Sequence, residues 1–185
     1  MTIDPMRLFF SRLIYETDES VGFGFDPLVI EYVASVLTQF VKTDALLNDQ
    51  EGLPTLALWY SKAINSMGQD RRHAFRRMGD VSLFMSGFFI DRVRVTGGLE
   101  YFMDMGCLGY DQAMSSKNDH VMLRLSRDFP VMVDILNRIS NGSGLCDVLS
   151  VSEAYDIFSG MPDRVSHMRR FILNGMIPST SLARG

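Results

Sequence analysis

Cysteine, histidine and long apolar runs are all scarce in this chain, and each scarcity removes a class of function. The two cysteines, Cys107 and Cys146, stand apart with no CxxC pair, and His73, His120 and His167 fall on three separate expected helices. This leaves neither a zinc quartet at the usual spacings nor the ExxH pair of carboxylate-bridged di-metal bundles, so no metal site is expected. Two free thiols fit a reducing compartment. No apolar run approaches the roughly 20 residues needed to cross a bilayer. The longest, Val81 to Ile90, is bounded by Asp80 and Asp91. The start, Met1-Thr2-Ile3-Asp4, has neither the basic stretch nor the apolar core of a secretory signal. A cytoplasmic protein with no membrane partner is expected by elimination.

Positive charge is not in excess either. A net charge of −4 and a pI near 5.3 argue against a surface devoted to nucleic acid or anionic lipid and confine any polyanion site to a local patch. The chain also lacks GxGxxG, Walker A, GxSxG and the kinase motif set. What it does have is an ordinary globular composition, 46% hydrophobic and 22% charged over 185 residues. That length suits one domain, placed at 1–178, with 179–185 as a small, polar tail. The 13 methionines mostly sit among other apolar residues and read as core filling.

Helix signals recur along the chain and predict an all-α fold, a compact bundle of seven or eight helices. Asp4-Pro5 and Asp26-Pro27 each place a capping residue before the residue best suited to open a helix. The first helix is expected to run from Pro5 to about Tyr15, followed by a loop over 17–25 pinned by Phe23 and Phe25. The second carries Leu28, Val29, Tyr32, Val33, Val36, Leu37, Phe40 and Val41 at three- and four-residue spacing. A third over 55–66 puts Trp59 forward as a core anchor. A fourth, over 69–93, is the longest and most apolar. Further helices are expected over 99–115, with Gly106 and Gly109 marking close packing, over the segment from Asn118 and Asp119 with a break or kink at Pro130, and over 150–159 and 162–173.

The 69–93 helix divides in two. Arg71, Arg72, Arg76 and Arg77 crowd its first turns, and the ten residues from Val81 to Ile90 are almost all apolar, as suits a helix surrounded by others. Cations at a helix N-terminus oppose the macrodipole, so this cluster needs acidic partners such as Asp70 and Asp80, or an anionic ligand, or simple solvation. Gly79, Ser82 and Ser86 form a small-residue stripe that admits either a neighbouring helix or a flat ligand. Asp80, at the junction, must be hydrogen-bonded, paired or protonated. Glu100, Asp104 and Asp111 form a carboxylate face that reads as solvated.

Two resemblances touch the same junction. Gly79-Asp80-Val81-Ser82-Leu83-Phe84, then Ser86-Gly87-Phe88-Phe89, with Tyr101, Met105, Gly106 and Tyr110 following, resembles a family of uncharacterised bacterial all-helical proteins over about a quarter of the chain. That likeness implies a bacterial, cytoplasmic origin and no particular activity. Met78 to Ser82 resembles the start of the distal helix of haem oxygenases. Leu83 and Phe84 stand where that family has the glycines that admit the porphyrin, and no histidine precedes His73 as a proximal ligand. This second likeness therefore implies a helical bundle and carries no haem chemistry with it.

These readings converge on a non-enzymatic regulatory or adaptor protein, expected as a homodimer, that recognises a protein or anionic partner through Arg71, Arg72, Arg76 and Arg77. The alternative is a small-molecule or haem-binding bundle, or an enzyme, with its pocket beside Gly79, Asp80, Ser82 and Ser86. No cofactor is specified by the sequence.

Overall fold

The computed structural model describes residues 4–42, 56–95, 98–116 and 119–142. Eight helices occupy those residues, with no strand among them: α1 (Pro5–Val21), α2 (Pro27–Lys42), α3 (Leu56–Ile64), α4 (Gly68–Phe88), α5 (Ile90–Val95), α6 (Leu99–Ala113), α7 (His120–Arg127) and α8 (Phe129–Gly142). The expected all-α bundle is what forms. No described helix is long and apolar enough to cross a membrane. The helices expected over 150–159 and 162–173, the tail at 179–185, Cys146 and His167 lie outside the described residues.

The two Asp-Pro starts work as capping chemistry requires. Asp4 accepts from the Met6 amide at 3.1 Å, and Asp26 accepts from the Leu28 amide at 2.8 Å. The end of α1 differs from expectation: the helix runs on to Val21, through residues assigned to a loop. Two contacts outweigh the unfavourable acids in its last turns. Gly22 takes a left-handed conformation, φ 72°, and its amide closes on the Asp18 carbonyl at 2.8 Å. The Asp18 carboxylate, buried, accepts the Phe25 amide at 2.9 Å and so ties the short 22–25 connection to the helix it leaves. Phe25 is buried as expected, whereas Phe23 stays at the surface, packed on the Phe25 ring at 4.6 Å.

Helix α4 is the axis of the fold, with α6, α3 and α8 against it. From Met78 to Phe84 every residue is buried. The crossing with α6 is made by glycine on both sides: a Cβ on Gly109 would stand 2.6 Å from the Gly79 amide nitrogen and 2.7 Å from the Phe75 carbonyl oxygen. The backbones therefore touch, and no side chain fits between them. Phe84 is stacked on Phe40 of α2 at 4.6 Å and packs on Phe88 at 5.4 Å.

The long helix expected to Val93 is instead interrupted. It ends at Phe88, Phe89 leaves the helical conformation (φ −125°, ψ 34°), and α5 resumes at Ile90. Just before the break the Ser86 hydroxyl donates back to the Ser82 carbonyl, a pairing that bends helices. At the other expected break, α7 ends at Arg127 and α8 begins at Phe129, with Pro130 in its first turn. Two other side chains depart from expectation: Leu28 is 64% exposed, and Trp59 is half-buried with the Lys62 ammonium 4.9 Å above its ring.

Candidate functional site

The junction of α4 is where polar chemistry gathers. Asp80 is only 7% exposed, where the helix turns from its arginine-rich start to its apolar half. Two phenols hold it. Tyr32 of α2 donates to Asp80 Oδ1 at 2.6 Å and Tyr110 of α6 donates to the same oxygen at 3.0 Å. Three helices are thereby pinned through one carboxylate atom. Arg76, one turn earlier on α4, donates from Nε to the Tyr32 oxygen at 2.9 Å and lies over the Tyr32 ring at 4.6 Å. The surface guanidinium is thus connected to the buried carboxylate through a single phenol.

Burial and hydrogen bonding pull in opposite directions here. Desolvation raises the Asp80 pKa, and the two phenols, with the Arg76 and Arg77 charges, draw it partly back. For Tyr32 and Tyr110 burial and the Asp80 charge act together, and only Arg76 opposes them. Burial comes first and the Asp80 charge adds to it, so both phenols are held well above their ordinary range. Each stays protonated, which is the state in which it can donate to Asp80.

Two grooves flank this relay. The larger, of about 620 Å³, is bounded by Arg7, Glu31, Arg72 and Asp119 among others, and the smaller, of about 500 Å³, by Ser35, Gln39, Arg77 and Asp80. Tyr32, His73 and Arg76 line both, so the two grooves adjoin along these three side chains. Both volumes lie in the usual range for small-ligand sites.

The four arginines do not act as one cluster. Arg72 and Arg76 share the groove face, Arg77 lines the smaller groove with its guanidinium 4.8 Å over Phe40, and Arg71 turns to the ring of Phe75 at 5.2 Å. Among the described residues no carboxylate lies within ion-pair distance of Arg71, Arg72 or Arg76. The expected direct pairing of Arg76 with Asp80 is replaced by the Tyr32 relay.

At Gly79 the small-residue stripe meets a neighbouring helix. A Cβ on Gly79 would meet the Tyr110 ring at 2.9 Å, and Ser82 and Ser86 are fully buried. Neither groove is lined by Gly79, Ser82 or Ser86. Glu100, Asp104 and Asp111 are exposed, and among the described residues no three His, Cys, Asp or Glu side chains gather to hold a metal.

Sequence reasoning singled out Asp80 and the arginines and missed the two tyrosines that organise them. The signal was present: a carboxylate in an apolar run needs donors, and Tyr32 and Tyr110 are phenols set in otherwise apolar helix faces. No protein family, curated protein or solved structure matches this chain. The site itself carries the functional argument.

Proposed function

We propose that this chain is a non-enzymatic cytoplasmic regulatory or adaptor protein whose larger groove, bounded by α1, α2, α4 and α7, recognises an anionic group through Arg72 and Arg76. One observation carries the reading: two guanidinium groups face a groove of about 620 Å³ with no carboxylate paired to either among the described residues. Arginine presents several N–H donors in a planar fork, which suits a carboxylate or phosphate better than it suits water alone. Arg76 is also oriented in advance by Tyr32, so less side-chain entropy is lost when an anion docks.

In this reading the two phenols serve to hold Asp80 rather than to transfer protons. A useful general acid or base titrates near the working pH. Tyr32 and Tyr110 are displaced away from it, and both engage Asp80.

The test is capture. Immobilised protein should retain its partner from the cells that make it, and inorganic phosphate or acetate at millimolar concentration should compete. The double variant Arg72→Glu, Arg76→Glu should lose capture with its circular dichroism unchanged. Undiminished capture by a folded double variant sinks the proposal.

A further inference from the structure

Asp80 is more than the anion reading requires. Both phenols donate to Oδ1, and among the described residues no donor reaches Oδ2. Each carboxylate oxygen can accept two hydrogen bonds, and Oδ2 is not among the enclosed side-chain atoms that lack a partner, so it keeps access to the groove. This side chain lines the groove of about 500 Å³ while being 93% removed from solvent, the complement of its 7% exposure. A half-satisfied carboxylate at the inner wall of a groove is a ready acceptor, strongest for a cationic donor.

The opposite charge stands beside it. Arg76 and Asp80 are four residues apart on one helix, about 6 Å along the axis, and they share Tyr32 as a hydrogen-bond neighbour. Arg76 lines both grooves and Arg72 continues the positive wall into the larger one. An anion alone meets Arg76 favourably and Asp80 unfavourably; for an amine alone the signs reverse. Only a ligand with both charges a few bonds apart satisfies both walls.

We propose that the two grooves form one site for a small zwitterion of the free amino-acid class, its carboxylate on Arg76, its ammonium on Asp80 Oδ2 and its side chain in the larger groove past Arg72. The proposal rests on the anion reading of Arg72 and Arg76 and deepens it by naming the ligand's second charge. Ser35 and Gln39 of α2 line the ammonium end and supply further polar contacts. The other titratable groups of the two grooves are His73, which lines both, Arg77 in the smaller one, and Arg7, Glu31 and Asp119 in the larger, where Arg7 and Glu31 hold each other at 3.6 Å.

Calorimetric titration and thermal shift with the twenty free amino acids test it, alongside their N-acetyl derivatives, which lack the ammonium, and their amides, which lack the carboxylate. At least one amino acid should bind, with each single-charge derivative at least tenfold weaker. Asp80→Asn should cost about tenfold in affinity for the amino acid, as expected for one charge-assisted hydrogen bond, and should leave the N-acetyl derivative unaffected. Ser35→Leu narrows the smaller groove without touching the relay and should abolish binding, which keeps the proposal testable if Asp80→Asn fails to fold. Binding of N-acetyl derivatives or inorganic phosphate as tight as that of amino acids, dependent on Arg72 and Arg76, overturns the zwitterion and leaves the anion reading standing. Absence of binding by every amino acid, or indifference to both Asp80→Asn and Ser35→Leu, also overturns it. Anion binding unchanged by Arg72→Glu and Arg76→Glu overturns the anion reading itself.

Discussion

The two halves of α4 share a helix and differ in everything else. From Met78 to Phe84 the helix is sealed on all sides, with α6 against its backbone at Gly79. The residues before it, through Arg77, are mostly half-buried or exposed and turn arginines toward grooves and aromatic rings. In the sealed half the helices approach to backbone contact at Gly79 and Gly109, so a change of one methyl group there must be felt. In the open half charges can be exchanged at little cost to stability, which is the freedom a binding surface needs. Asp80 sits at the seam and belongs to both.

The contrast is most severely tested at the glycine crossing. Gly109→Ala puts a methyl group 2.6 Å from the Gly79 nitrogen, where only backbone can yield. Overpacking of this kind costs about 3 kcal/mol, and the better helix propensity of alanine returns roughly 1 kcal/mol at most. Urea denaturation should show a net loss on the order of 2 kcal/mol. A stability equal to that of the parent would mean that the helices are not in contact here.

The next largest effect is at the seam. Asp80→Ala removes the acceptor of both phenols and leaves the buried Tyr110 hydroxyl unpaired, for a loss of about 1–3 kcal/mol. Asp80→Asn keeps a carbonyl oxygen for the phenols and should cost less, because it also ends the desolvation of a charge. If the two variants were equally unstable in chemical denaturation, the charge rather than the hydrogen bonds would be holding the seam.

Alkali offers a third comparison. The pKa values of Tyr32 and Tyr110 are raised in the folded protein above the unfolded value of about 10. The folded state therefore holds more protons above that pH, and stability falls as pH rises past it; below it the contribution of the protonated phenols is complete. Of the six tyrosines in the chain, these two should ionise only as the protein unfolds. Absorbance at 295 nm followed together with far-ultraviolet circular dichroism should show that lag. Full ionisation with the helical signal intact would contradict it.

The smallest effect on stability is expected in the open half. Arg72→Ala should shift stability by no more than about 0.5 kcal/mol, the usual range for a surface site without a structural partner, while weakening anion binding. A loss comparable to that of Gly109→Ala would erase the distinction between the two halves.

Much of this was legible in the sequence because it rests on local chemistry. The caps at Asp4 and Asp26, the faces of α2 and α4, and the close packing announced by Gly106 and Gly109 follow from residue type and spacing. Less legible were features that depend on a partner remote in sequence. Sequence alone ends α1 near Tyr15, because the Asp18 contact to Phe25 that accompanies its continuation is invisible before the chain turns back. The break at Phe89 was likewise hidden within an unbroken apolar run.

The same division runs through the site. By itself the sequence determined that a carboxylate would stand at the edge of an apolar helix beside a set of arginines, since four-residue spacing puts residues 76 and 80 on one face. Only the tertiary structure decided that the arginines separate onto different surfaces, that the space beside Gly79 goes to the Tyr110 ring, and that two tyrosines from α2 and α6 meet on one oxygen of Asp80. Helical periodicity specifies which face a residue occupies. Which distant side chains satisfy a buried charge, and which of its oxygens they leave open, is settled only when the helices pack.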